Sequence, residues 1–140
     1  FKVRSEDLAV VAFESAAKVL SRLGEHDRTA RIVEGILAQP ARGFTNIAAA
    51  LQAGRSELER GDNPRRVGLL ISDGVYTAGD DPTAEAGRFP RLHVLLTEDY
   101  TMDLELARRM ARLGRGKVFT VKGYDELPRR MLEVANRLLR

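Results

Sequence analysis

The chain has 140 residues, which suits one domain with a buried core. Its hydrophobic fraction of 44% and charged fraction of 31% are those of a globular protein, and no run approaches the roughly 18 apolar residues of a membrane span. The absence of Cys excludes disulfides, thiolate metal sites and cysteine nucleophiles. With no signal peptide before the first strand, we expect one domain over residues 1–140, a cytoplasmic location and no membrane partner.

The basic charge balance does not predict nucleic-acid binding. The sequence pI is about 9.6, but the net charge is only +3, with 23 basic and 20 acidic side chains spread over both halves of the chain. A cluster of four arginines follows two acidic residues, Asp103 and Glu105. This pattern favours a solvated helix face over a phosphate-binding patch. We therefore expect no nucleic-acid partner.

The first third of the chain predicts two strands and a helix. Leu8–Phe13 is a nearly continuous apolar run, typical of a strand buried on both faces. Ala16–Leu20 follows closely and predicts a shorter, antiparallel edge strand. Apolar residues recur at helical spacing over His26–Ala38, and Pro40 and Gly43 end that helix.

The middle of the chain predicts a helix and the most apolar strand. Thr45 or Asn46 is the expected N-cap of a helix with apolar residues from Ile47 to Leu58. Val67–Ile71 is a buried strand that stops at Ser72-Asp73-Gly74, and a loop rich in Gly and Asp follows.

The last part of the chain repeats the strand-then-helix order. The pattern predicts a short helix over Pro82–Gly87, strands over Leu92–Leu96 and Lys117–Val121, and helices over Leu104–Leu113 and Leu127–Leu138. Alternating strands and helices favour an α/β fold with a doubly wound, mostly parallel sheet and helices on both faces.

Two polar segments are predicted to meet at one edge of this sheet. Ligands of such folds bind beyond the carboxyl ends of the strands. Thr45 lies at a loop-to-helix junction, and Asp73 ends the most apolar strand. Their hydroxyl and carboxylate are hard oxygen ligands, suited to Mg²⁺, Mn²⁺ or Ca²⁺. The alternative is that Thr45 only caps a helix and Asp73 only begins a turn.

Four segments occur in this order: EDLAVVAFESAAKVL, GFTNIAAAL, RRVGLLISDG and ARRMARLGRGKVFTV. Through them the chain resembles the von Willebrand factor A family from residue 5 onward. The family has a Rossmann-like fold and binds partners through a metal-ion-dependent adhesion site. The resemblance implies that Thr45 and Asp73 are metal ligands of such a site, with Gly43 and Gly74 allowing the backbone to turn around the ion.

The family's third ligand motif is absent. Asp-x-Ser-x-Ser occurs nowhere in this sequence, and in the family it follows a central first strand that this chain also lacks. We therefore expect Mg²⁺ (or Mn²⁺) to bind only if that motif is supplied upstream of Phe1.

Enzyme functions have weaker support in the sequence. Ile71 to Thr77 resembles the D-x-D-G-V-x-T motif of haloacid-dehalogenase phosphatases, but Ile71 occupies the position of the nucleophilic Asp. Ser72 lacks a G-x-S-x-G elbow, and no Walker A or G-x-G-x-x-G sequence is present. His26 and His93 are expected to be structural.

These observations predict a non-catalytic protein-interaction module. The resemblance implies that it binds an acidic residue of another protein through the metal. The resemblance also implies an AAA+ ATPase as a candidate partner, because bacterial intracellular members of the family often work beside one. Two alternatives remain: a non-catalytic docking part of a multi-component AAA+ or metal-chelatase-like enzyme complex, and a structural fragment that binds no metal.

Overall fold

A computed structural model describes residues 10–13, 17–21, 45–61, 64–98, 102–123 and 125–138. Within these ranges strands and helices form an α/β architecture. In chain order the elements are β1 (Val10–Phe13), β2 (Ala17–Ser21), α1 (Ile47–Arg60), β3 (Gly68–Ser72), α2 (Thr83–Gly87), β4 (Leu92–Thr97), α3 (Leu104–Leu113), β5 (Val118–Val121) and α4 (Leu127–Leu138).

The centre of the fold is a parallel sheet with the strand order β3-β4-β5. β4 is the middle strand, and all six of its residues are buried. An apolar run without alternation is what a strand covered on both faces requires. The predicted parallel arrangement of these three strands is confirmed.

β1 and β2 form a separate antiparallel pair. The antiparallel orientation was expected, but within the described residues β1 is not hydrogen-bonded to β3, so the five strands fall into two sheets rather than one. No strand among the described residues joins β1 to β3. Helix α1 contacts β1, β2 and β3, and so packs against both sheets.

Helices cover both faces of the parallel sheet, as predicted. One face packs against α1, α2 and α3, and the other packs against α4. The larger core includes Ile47, Leu51, Leu70, Ala86, Phe89, Leu92, Val94, Leu96, Leu106, Ala107, Met110 and Ala111. The smaller core consists of Leu95, Phe119, Val121 and Val134, with Leu69 and Ile71 partly buried against it.

The predicted bounds of the strands differ from the structure by one or two residues. β3 begins at Gly68 rather than Val67 and ends at Ser72 rather than Ile71, because its pairing with β4 runs from Gly68 opposite Leu92 to Ser72 opposite Leu96. The predicted helix over His26–Ala38 lies outside the described residues. In the described part of the chain, no helix combines the length and the apolar character needed to cross a bilayer.

Candidate functional site

β3 ends in a turn stabilised by two of its own side chains. The Oγ of Ser72 accepts a hydrogen bond from the backbone N–H of Gly74 (3.0 Å), and Oδ1 of Asp73 accepts one from Val75 N–H (2.9 Å). Bonds from a side chain to a backbone two residues onward stop a strand and start a turn. They hold the half-buried Asp73 at the carboxyl end of β3.

The same turn packs tightly against the start of α3. Asp103 N–H donates to the carbonyl of Asp73 (2.9 Å), and the Asp103 carboxylate accepts from Leu106 N–H and caps α3. Gly74 has a φ of 82°, and a Cβ at this position would lie 2.6 Å from the carbonyl oxygen of Asp103. Only glycine combines this left-handed conformation with such a close approach.

Thr45 is tied to the loop that follows Asp73. Its N–H donates to Oγ1 of Thr77 (2.8 Å), and its carbonyl accepts from the N–H groups of Thr77 (2.9 Å) and Ala78 (3.1 Å). Thr77 lies four positions after Asp73 in the sequence. The structure therefore brings the segments of Thr45 and Asp73 to the same edge of the sheet.

Asn46, rather than Thr45, is the N-cap of α1, since its Oδ1 accepts a hydrogen bond from Ala49 N–H (3.0 Å). Gly79 has a φ of 80°, and a Cβ there would lie 2.2 Å from Oδ1 of Asn46. This contact is a second point at which the loop closes onto α1. We call Thr45, Asn46, residues 72–79 and Asp103 the carboxyl rim.

The rim residues alone do not complete a metal site. Within the described ranges, no group of three or more Asp, Glu or His residues could hold a metal ion. Mg²⁺ requires six oxygen ligands, and it is anchored by one or two carboxylates. In addition, α1 and α3 both begin at the rim, and the partial positive charge of a helix N-terminus opposes a bound cation. The assignment of Thr45 and Asp73 as ligands stays a prediction.

Three rim residues were missed by the sequence analysis: Thr77, Gly79 and Asp103. A signal existed for Asp103, since an acidic residue directly before an apolar helical pattern is a typical N-cap. The contacts of Thr77 and Gly79 join segments more than 30 positions apart. Such long-range contacts leave no local pattern in a sequence.

His93 occupies a structural position, in line with expectation, whereas His26 lies outside the described residues. His93 is 4% exposed, and its Nδ1 accepts a hydrogen bond from Lys117 N–H (2.9 Å) between β4 and the start of β5. Burial lowers the pKa of His93, and the positive charges of Arg91 and Lys117 lower it further. The imidazole is therefore neutral near pH 7, with the hydrogen on Nε2.

No protein-family model matches the sequence, and no curated protein matches it significantly. Solved structures do share its fold. A von Willebrand factor type A protein from Catenulispora acidiphila superposes with a TM-score of 0.73 at 19% identity, covering 90% of this chain and 32% of that chain. An aerotolerance-related membrane protein from Bacteroides fragilis gives 0.62 at 15% identity, covering 92% and 78%.

A third structure with this fold carries a metal-site motif. Proximal thread matrix protein 1 from the mussel byssus, with a zinc-occupied metal-ion-dependent adhesion site, superposes with a TM-score of 0.68 at 23% identity. The match covers 85% of this chain and 33% of that one, so this chain spans about a third of the mussel and Catenulispora proteins. The parallel sheet, the helices on both faces and these superpositions show that the chain has the von Willebrand factor A-type fold.

Proposed function

We propose that the chain is a protein-interaction module that binds an acidic side chain of a partner at the carboxyl rim, through a divalent metal ion. The observation that carries the proposal is the hydrogen bonding of Thr45 to Thr77 and Ala78, in the loop that begins with Asp73. It supports a site at the ligand-binding edge of the α/β sheet, for which we propose the Thr45 hydroxyl and the Asp73 carboxylate as ligands.

The missing ligands are part of the proposal. Asp73 contributes one carboxylate and Thr45 one neutral hydroxyl, so most of the coordination sphere must come from elsewhere. An Asp-x-Ser-x-Ser motif on a strand next to β3 would supply an additional carboxylate and two hydroxyls. The zinc-occupied motif of the mussel protein supports a divalent ion at this type of site. Mg²⁺ or Mn²⁺ is our proposal for this chain.

The chemistry of the rim supports binding rather than catalysis. The Ser72 hydroxyl accepts a hydrogen bond from Gly74, and the only described histidine, His93, lies near the amino end of β4. Among the described rim residues, no nucleophile is hydrogen-bonded to a histidine base. We therefore propose a non-catalytic module whose partner is another protein.

Its partner and location stay predictions. An AAA+ ATPase has no support in the fold itself. A cytoplasmic location is likewise only proposed, because one protein with this fold is described as a membrane protein.

The metal part of the proposal is tested by calorimetric titration with Mn²⁺ and Mg²⁺. We expect little or no binding to the 140-residue chain and clear binding to a chain extended upstream by a strand bearing Asp-x-Ser-x-Ser. In the extended chain Asp73→Ala should abolish binding, because it removes an anchoring carboxylate. Thr45→Val should weaken it by a smaller factor.

Asp80→Ala is the matched control, since Asp80 is an exposed acid close to the rim loop. It removes the same charge and should leave metal affinity unchanged. Tight binding by the short chain, or equal effects of Asp73→Ala and Asp80→Ala, would show that the ligands are assigned wrongly. Binding of a surface-immobilised acidic peptide, with and without EDTA, then tests the docking function separately.

A further inference from the structure

A cavity lies at the opposite end of the parallel sheet from the carboxyl rim. It has a volume of about 800 Å³ and is lined by residues just before or at the start of β3, β4 and β5, together with Arg137 near the end of α4. Because α4 runs back along the sheet, its last turn returns to the amino ends of the strands. The cavity is thus lined by residues that take no part in the carboxyl rim.

This cavity is strongly positive. Its lining includes Arg65, Arg66, Arg91, Lys117 and Arg137, and none of its described lining residues is acidic. We call it the arginine cleft. Four of the five cations are exposed, so their positive charges face solvent around the cavity. Like charges that converge on one cavity repel each other, and a bound anion would relieve that repulsion.

Four of the five cleft cations are not neutralised by described acids. No ion pair in the described part of the chain involves Arg66, Arg91, Lys117 or Arg137. Arg66 donates from one terminal nitrogen to the Gly61 carbonyl (2.7 Å), while its Nε is buried without a partner. A buried donor without an acceptor is energetically costly.

Two further features bear on what the cleft can hold. The C-terminus of α4 lies there, but its partial charge of about −0.5 is small beside the full positive charges of Arg66, Arg91, Lys117 and Arg137. The neutral His93 also lines the cavity. Its uncharged imidazole adds hydrogen-bonding capacity and does not repel the cationic side chains around it. The net charge of the described lining residues is therefore positive.

We propose that the arginine cleft binds a multivalent oxyanion of small-molecule size, with phosphate or carboxylate groups. Arginine guanidinium groups match both kinds of oxyanion in bidentate geometry. The cavity volume lies within the roughly 300–1,000 Å³ of small-molecule sites, and the charges converge on a cavity rather than along an extended face. This site is independent of the metal-dependent function proposed for the carboxyl rim.

The proposal is tested by titrating the 140-residue chain with inorganic tripolyphosphate and with citrate, at low and at physiological ionic strength. We expect at least one probe to bind, and the tighter one identifies the phosphate or the carboxylate class. Amide chemical shifts should change near Arg66, Arg91 and Lys117. Absence of binding by both probes, or shift changes confined to other surfaces, would overturn the proposal.

Charge-reversal variants test whether the anion binds at the side chains of the arginine cleft. Arg91→Glu/Lys117→Glu should weaken binding by ~10-fold or more, because two contacting charges become repulsive. The control Arg108→Glu/Arg129→Glu makes the same change in net charge at exposed helix positions outside the cleft and should weaken binding by less than ~3-fold. Equal losses in both variants would show non-specific attraction and refute the site.

If the reversal variant unfolds, Arg91→Gln/Lys117→Gln removes the two charges with less perturbation. It should still weaken binding by about 3-fold or more relative to the wild-type chain. Wild-type affinity in a folded Gln variant would overturn the proposal.

Discussion

At the scale of single residues, His93 makes stability depend on pH. Its pKa in the folded chain lies below the usual value of 6.5, because it is buried and lies near Arg91 and Lys117. As the pH falls through 6.5, the His93 imidazole is protonated in the unfolded chain before it is protonated in the folded chain. The free energy of unfolding therefore decreases with falling pH until the folded-state pKa is passed. Above pH 6.5 the contribution of His93 is fully present.

His93→Asn tests this prediction, because it keeps an acceptor for Lys117 N–H and cannot titrate in this range. Urea unfolding between pH 7.5 and 5 should show a steeper loss of stability for the wild-type chain, with a difference in slope of at most about 1.4 kcal/mol per pH unit for one proton. His26 is present in both chains, so its contribution to the pH dependence of stability cancels in the comparison. Parallel pH profiles would contradict the prediction.

Arg115 combines an unusual backbone conformation with several hydrogen bonds. Its φ is 58°, and its guanidinium donates to the carbonyls of Gly87 (3.2 Å), Pro90 (3.3 Å) and Phe89. We expect Arg115→Ala to lower the free energy of unfolding by about 1–3 kcal/mol, since three carbonyls lose a charged donor.

Arg115→Gly is the matched variant, because it loses the same hydrogen bonds but relieves the left-handed strain. Relief of the strain stabilises the glycine variant, and the larger backbone entropy that glycine loses on folding offsets part of this gain. The free energy of unfolding of Arg115→Gly should therefore be about 0.5–1 kcal/mol higher than that of Arg115→Ala. Thermal unfolding of the two variants side by side measures the difference. A glycine variant less stable than the alanine variant would show that the positive φ stores no strain.

At the scale of elements, Gly74 sets the spacing between β3 and α3. A methyl group there would meet the Asp103 carbonyl at 2.6 Å, and the φ of 82° is unfavourable for alanine. Gly74→Ala should therefore cost about 1–3 kcal/mol in unfolding free energy. The backbone carbonyl cannot move aside without displacing the start of α3.

Gly87→Ala is the control, because a Cβ at this helical position would lie 3.9 Å from Leu113 Cβ. This substitution should be neutral or stabilising by up to about 1 kcal/mol, because alanine restricts the unfolded chain. Urea unfolding of both variants tests the comparison. Similar losses in both would mean that the close approach at Gly74 is not what matters.

The sequence predicted elements better than their pairing. β4 was predictable because four of the five residues from Leu92 to Leu96 are large and apolar, and α3 because its apolar residues recur at helical spacing. The ends of β3 were misplaced by one residue, since hydrogen bonds to β4 rather than hydrophobicity decide where it begins. The separation of β1 and β2 from β3 depends on which strands are neighbours, and local periodicity carries no such information.

The candidate rim was only partly predictable for the same reason. Thr45 and Asp73 were selected because they follow predicted element boundaries on the ligand-binding side of an α/β fold. The hydrogen bonds of Thr45 to Thr77 and the contact of Gly79 with Asn46 are tertiary and could not be inferred. The arginine cleft was missed because its cations come from four separate segments of the chain.

At the scale of the whole molecule, the edge of β3 that faces away from β4 is where we propose that an upstream strand would pair. Gly68 N–H donates to the Arg91 carbonyl (2.9 Å), which directs it toward β4. Successive residues of a strand direct their N–H groups to alternate sides, so Leu70 also faces β4. The N–H groups of Leu69 and Ile71 then face the other edge.

Hydrogen exchange of the 140-residue chain should therefore alternate along β3. We expect the amides of Leu69 and Ile71 to exchange ~100-fold faster than that of Leu70, whose hydrogen bond opens only with the sheet. In a chain extended upstream by a strand bearing Asp-x-Ser-x-Ser, Leu69 and Ile71 should become protected, while Leu70 changes little. Leu95, paired with Ile71 on one side and Phe119 on the other, should stay protected in both chains. Equal protection of the Leu69 and Leu70 amides in the short chain would show that this edge of β3 is already covered. An additional strand could then not pair there, and the prediction would be wrong.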